Sequence, residues 1–233
     1  AASRRGCEPW PRRAGRPMKL VAYMTDNADL LLFLTEQHIE LVLVSVGISA
    51  VIGIGLALLT QSAPRLRHAL LSLTGTLLTI PSFALFALMI PLLGLGVAPT
   101  IVALAVYGIF PILRNTVTGI EGVDPAVIEA ARGLGMGAGR RMRTVVLPLA
   151  WPVILNGIRT ATIMLVATAA IGAVVHGPGL GQEIFRGLER IGGANALEEA
   201  LSGVIGVVLV ALILDLLFIG IAKITALRGL NVR

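Results

Sequence analysis

Residues 68–113 read HALLSLTGTLLTIPSFALFALMIPLLGLGVAPTIVALAVYGIFPIL, without one Asp, Glu, Lys or Arg. A membrane-spanning helix needs about 20 apolar residues, so this run is too long for one crossing. It divides at Gly94-Leu95-Gly96-Val97-Ala98-Pro99, where glycines and a proline mark a turn. The stretch therefore predicts two apolar helices, at about 70–93 and 100–120, joined tightly. Working outward, residues 41–64 are also uncharged and predict a span over about 39–62. Two further spans are predicted at about 150–175, interrupted by Arg159, and 201–225, interrupted by Asp215. The fold class is thus an all-α, polytopic membrane helical bundle with about five transmembrane helices.

Composition agrees. Of 233 residues, 56% are hydrophobic and only 14% charged, against roughly 25% charged in soluble domains. There is one cysteine, Cys7, so a disulfide scaffold is excluded. Lys19 and Lys223 follow no glycine-rich loop, so the chain holds no P-loop for nucleotide. His38, His68 and His176 stand apart and offer no metal site. No catalytic residue and no cofactor of the chain's own are expected, and no repeat suggests an inverted-repeat carrier. Transport or scaffolding is the starting class.

The formal charge of +6 would suggest nucleic acid on a soluble chain. On a membrane chain, the placement of basic residues in short loops reports orientation instead. Arg65 and Arg67 lie in the first loop, Arg132, Arg140, Arg141 and Arg143 in the loop 121–148, and Arg228 and Arg233 in the tail 228–233. With five spans, all three regions share one side, which is expected to be cytoplasmic. The opposite side receives the Gly94–Pro99 turn and the net acidic loop from His176 to Ala200. The N-terminus is then outside. Residues 1–17, with Arg4, Arg5, Arg12, Arg13 and Arg16 against Glu8, break this pattern. We expect 1–23 to be a disordered basic extension, with 1–17 dispensable. Residues 24–38 should be an external amphipathic lead-in, with Asp29–Gln37 a short helix on the interface. The transmembrane domain covers 39–227.

Within the spans, Pro81, Pro91 and Pro111 each remove a backbone hydrogen bond. Freed carbonyls in a membrane face protein or a water-filled path. Packing kinks and a pathway lining both fit. For the pathway the candidates are Thr79, Pro81, Ser82, Pro111 and Asn115. Ser45, Ser49, Gly53 and Ala57 recur every four residues as a close-packing stripe, either within the bundle or towards another subunit. Arg114, Arg159 and Asp215 are ionisable groups in or near spans and need partners or water. Arg159 and Asp215 lie at similar depth and are expected to pair, as a structural ion pair or a substrate contact.

The loop 121–148 carries a second signal. Asp124-Pro125 reads as an N-cap with proline at the first helical position. Residues 126–132 continue a two-turn helix that Gly133 or Gly135 ends. A second short helix, 138–146, leads to Leu147-Pro148 and span four. A capped, alanine-rich helix projecting from a bundle suits docking, although an ordinary connection has the same look.

Here the sequence resembles a known family. Glu129-Ala130-Ala131, then Gly135, then Val145-Val146-Leu147-Pro148 is similar to the EAA loop of permease subunits of binding-protein-dependent ABC importers. The family prefers isoleucine where Val145 stands. Further stretches resemble the osmoprotectant branch, which imports glycine betaine, carnitine or choline. They are Ile80-Pro81-Ser82, Ile90-Pro91-Leu92-Leu93-Gly94-Leu95-Gly96, Pro111-Ile112-Leu113-Arg114-Asn115-Thr116, Gly157-Ile158-Arg159-Thr160 and Gly177-Pro178-Gly179-Leu180-Gly181. Members often carry a glutamine shortly before the span-two proline, where this chain has Leu78-Thr79-Ile80.

The resemblance implies a non-catalytic membrane subunit in a prokaryotic inner or plasma membrane. Its partners would be ABC ATPase subunits, a second permease subunit in a homo- or heterodimer, an external substrate-binding protein and lipid, but no nucleic acid. ATP and Mg would belong to the ATPase. Glu129, Ala130, Ala131, Gly135, Leu147 and Pro148 would couple to it, and Gly177, Gly179 and Gly181 would shape the external gate. The alternatives are an importer of another solute such as an amino acid, a secondary carrier, for which only Asp215 supplies a mid-membrane acid, and a scaffold.

Overall fold

The computed structural model describes residues 16–230, with side chains from Lys19 to Thr225. Every element in this range is helical: α1 (Arg16–Asp26), α2 (Ala28–Leu59), α3 (Pro64–Leu77), α4 (Ser82–Leu93), α5 (Val97–Glu121), α6 (Pro125–Gly133), α7 (Ala138–Arg141), α8 (Leu147–Ile171), α9 (Gly181–Glu189) and α10 (Ala196–Leu230). A π turn, Met142–Val146, joins α7 to α8, and a 3₁₀ turn, Gly172–Val175, follows α8. Four helical stretches are long and apolar enough to cross a membrane: Ala28–Leu59, Val97–Glu121, Ala138–Val175 and Ala196–Thr225. The α3–α4 pair makes a fifth crossing only if taken together, because it bends by 98° at residues 78–81.

That bend turns the kink expected within the 70–93 span into a full break between two helices. Proline has no N–H and disfavours helix in the residue before it, and at Ile80-Pro81 the chain leaves the helix, whereas Pro91, Pro111 and Pro152 stay inside theirs. The break is held by Tyr107, whose hydroxyl donates to the Ile80 carbonyl at 2.7 Å. The lead-in is corrected as well. Asp29–Gln37 does not form a separate helix but the first turns of α2, with Leu34 and His38 buried in the bundle. Nor are residues 16–23 disordered, since they belong to α1, which packs on α10. Residues 1–15 of the expected extension lie outside the described residues, as do 231–233 of the tail. The rest of the tail, 228–230, continues α10.

The core is a layer of aliphatic side chains where α2, α5 and α8 meet. Val42, Phe86, Ala103, Leu104, Leu165 and Val166 are fully covered there. The small-residue stripe lies in this layer. Ser45, Ser49, Gly53 and Ala57 are all buried within the chain. Ser49 Oγ donates to the Ser45 and Ala105 carbonyls at 2.8 and 2.9 Å. A Cβ on Gly53 would stand 3.1 Å from Ile112. The stripe therefore serves packing of α2 on α5.

Two contacts fix which helix ends share a side. Arg67 at the start of α3 pairs with Glu121 at the end of α5 at 2.7 Å. At the other end, the Gly96 N–H donates to the Val175 carbonyl at 2.7 Å. We call these the basic end and the opposite end.

Candidate functional site

The loop at the basic end is built to hold one shape. Asp124 Oδ1 accepts from the Ala126 N–H at 2.8 Å and caps α6, with Pro125 in the first turn, where its missing N–H costs nothing. At the other end, the N–H groups of Leu134, Gly135 and Met136 donate to the carbonyls of Ala130, Arg132 and Ala131. Gly135 has φ +76, a left-handed conformation that turns the chain sharply and that a side chain disfavours. Arg141 Nη1 donates to the Met136 carbonyl at 3.3 Å and ties the turn to α7. Ala131 is buried against this fold of the loop, while Val127, Glu129, Ala130 and Leu134 are exposed. The two-turn apolar and acidic face is thus presented outward.

The expected second helix, 138–146, is not separate from span four. α7, the π turn and α8 run on as one rod from Ala138 to Val175. The π turn explains how Leu147-Pro148 fits in it. The Leu147 N–H donates to the Met142 carbonyl, five residues back. This widens the helix just before Pro148, whose ring would crowd a regular turn and which lacks the next N–H. The rod thus begins just after the turn that ends α6 and continues into the span.

The expected pathway residues separate into two groups. Thr79 is exposed beside the α3–α4 break, with Pro81 next to it and Ser82 opening α4. Thr79 shares a cleft of about 510 Å³ with Thr76, Phe110 and Arg114. Pro111 is buried and Asn115 half-buried, and both face α8 instead. Asn115 Nδ2 donates to the Pro111 carbonyl at 2.8 Å, and a Cβ on Gly157 would stand 2.6 Å from the Asn115 Cβ. These two residues close the α5–α8 contact.

At the opposite end, Gly177, Gly179 and Gly181 lie in a buried loop wedged between helices. A Cβ on Gly177 would meet Thr100 at 2.6 Å, and one on Gly179 would meet His38 at 2.8 Å. One on Gly181 would collide with the Ala170 carbonyl. The loop thus touches α2, α5 and α8 at once. Deeper in, Arg159 holds Asp215 with both arms, Nε to Oδ1 at 2.6 Å and Nη2 to Oδ2 at 2.9 Å, and so links α8 to α10.

Sequence reasoning passed over other groups here. Glu183 on α9 is fully buried, accepts from the Tyr23 hydroxyl and pairs with Arg186 at 2.7 Å. Burial, then the bond to Glu183, hold the Tyr23 phenol above its ordinary range, so it remains a donor. His38 is buried, with its Nε2 3.1 Å from the Val166 carbonyl. A Glu with Arg three residues on is the sequence signal for Glu183. A tyrosine in an uncharged span needs a partner for its hydroxyl, which was the signal for Tyr107. Among the described residues no three His, Cys, Asp or Glu gather to hold a metal.

A family model described as "Binding-protein-dependent transport system inner membrane component" matches residues 49–228. The chain belongs to this family. It is therefore a multi-pass membrane subunit of a binding-protein-dependent ABC importer, a system that also has ATPase and substrate-binding components. The osmoprotectant import permease protein OsmW of Salmonella typhimurium is 39% identical over 219 residues, covering 92% of this chain and 100% of that protein. The choline transport system permease protein OpuBB of Bacillus subtilis is 37% identical over 196 residues, covering 84% and 88%. The inward-facing MetNI methionine ABC transporter matches in fold with a TM-score of 0.74 at 23% identity, over 91% of this chain and 99% of that one.

Proposed function

We propose that this chain is the permease subunit of an ATP-driven importer of quaternary ammonium osmoprotectants of the glycine betaine, carnitine and choline kind. The observation that carries the substrate class is the relation to OsmW over 92% of this chain and 100% of that protein. The chain itself performs no chemistry. ATP and Mg are bound by separate ATPase subunits, on which α6 docks as the coupling helix. Glu129 meets a basic group there, and Ala130 and Ala131 permit close approach. Gly135 sets the angle, and Leu147-Pro148 passes the motion into α8. A second permease subunit completes the pathway, and lipid covers the rest. The basic end is cytoplasmic, and the N-terminus and the Gly177–Gly181 loop are outside, beneath the binding protein.

The test is uptake into proteoliposomes that contain this chain with its co-purified ATPase, supplied with binding protein outside and ATP inside. We expect ATP-dependent accumulation of labelled glycine betaine or choline, competed by the unlabelled quaternary ammonium compounds and not by methionine. Accumulation of an amino acid alone overturns the substrate class. Accumulation by the chain without ATPase overturns the coupling.

A further inference from the structure

Arg114 lies two turns before the end of α5 at Glu121, roughly 10 Å into the bundle at ~1.5 Å per residue. A guanidinium at that depth needs an anion, water or another polar surface. Arg67 and Arg159 each hold a carboxylate. Among the described residues Arg114 holds none. Its side chain is exposed to a cleft, and its guanidinium carbon stands 5.9 Å from the centroid of the Phe110 ring. The cleft is shallow and open, about 510 Å³ in volume.

The opposite wall is made for a cation as much as for an anion. Ser72, Thr76 and Thr79 follow one another along α3 and its end. Thr76 and Thr79 donate their hydroxyl protons to the carbonyls of Ser72 and Thr76 at 2.8 and 2.7 Å. With these protons committed, the hydroxyl oxygens have only lone pairs to offer a ligand in the cleft, which suit polarised N-methyl groups. Gly75 lets the edge of the Phe110 ring come close, since a Cβ there would stand 3.0 Å from Cε2. The ring is thus braced, and Arg114 stands over its face.

We infer that Phe110 and Arg114 form a two-point site for a zwitterion that carries a quaternary ammonium and a carboxylate. The inference rests on the substrate class proposed above. The ammonium takes the place of the guanidinium on the Phe110 face, where a cation is attracted by the ring quadrupole. Arg114 turns to the carboxylate, which it binds as a charge-assisted fork. A ligand without a carboxylate gains the ring but meets the uncompensated charge of Arg114. The site therefore favours betaines over simple cations at the inner half of the path.

The experiment compares glycine betaine with choline in the complete transporter in proteoliposomes, for wild type, Arg114→Gln, Arg114→Lys and Phe110→Leu. We expect Arg114→Gln to lower the betaine-to-choline uptake ratio about tenfold, since it removes a charged contact made by only one of the two compounds. Arg114→Lys, which keeps the charge, lowers the ratio less. Phe110→Leu lowers uptake of both compounds and leaves their ratio near wild type. An unchanged ratio in Arg114→Gln overturns the site, whether uptake of both compounds falls equally or not at all. Wild-type uptake of choline alone also overturns the site and leaves the quaternary ammonium class standing. Wild-type uptake of neither compound overturns that class, and the site with it.

Discussion

At Gly181 one methyl group would meet the backbone of Ala170 in α8. A Cβ there collides with the Ala170 carbonyl, which is main chain and cannot rotate away as a flexible side chain would. Overpacking against fixed neighbours costs about 1–3 kcal/mol. Gly181→Ala should therefore lower the thermal midpoint of the detergent-purified chain by a corresponding amount. Gly47 has nothing within 4 Å of its would-be Cβ. Gly47→Ala should be neutral or stabilising by about 0.5–1 kcal/mol, because alanine restricts the unfolded chain and favours helix. Equal midpoints for the two variants would refute the steric reading. The sequence showed three glycines in a turn and suggested a gate. It did not show that each glycine faces a different helix, because those neighbours are distant along the chain. The pairing of Arg159 with Asp215 was easier to read, since both depths could be counted from the same end.

At the scale of elements, α6 was legible because its signals are local. Asp124 caps it, Pro125 starts it and Gly135 turns the chain after it. The 98° break between α3 and α4 was legible only as a place. Pro81 says that the helix stops, while the angle depends on Tyr107 reaching Ile80 from another helix. The π turn was invisible for a similar reason. It answers a proline that also occurs in ordinary first turns. The proposed coupling role of α6 makes a distinct prediction. Gly135→Val forces a β-branched residue to φ +76, at a cost of at least ~1–2 kcal/mol, and tilts α6 away from its docking angle. The variant should insert into the membrane and bind the ATPase weakly, and its ATPase should no longer respond to loaded binding protein. Glu129→Lys, at an exposed position, should lose ATPase co-purification with no change in the chain's own thermal midpoint. Normal co-purification and stimulation in both variants would remove α6 from the coupling path.

For the whole molecule, the question is which way the bundle faces. Arg67–Glu121 gathers the starts and ends of α3 and α5 at one end, and the Gly96–Val175 bond gathers their counterparts at the other. The arginines 132, 140, 141 and 143 lie in the loop that follows Glu121, so they share the basic end. Short basic loops are retained in the cytoplasm. Two acidic groups at the opposite end are paired, while Glu189 is exposed and Glu198 half-buried. Glu183 is bound by Tyr23 and Arg186, and Glu199 by Arg190 at 3.2 Å. With Glu183, Glu189, Glu198 and Glu199 against Arg186 and Arg190, the loop 176–200 has no basic excess to oppose the orientation. With Cys7 changed to Ser, single cysteines report the side directly. Glu189→Cys, exposed at the end of α9, should react with a membrane-impermeant maleimide in intact spheroplasts. Ser62→Cys, exposed between α2 and α3, should react only after the membrane is opened. The reverse pattern would turn the bundle over and place α6 on the wrong side for an ATPase. Labelling of both cysteines in sealed spheroplasts would mean that the 98° pair does not cross the membrane, because the two positions then share a face.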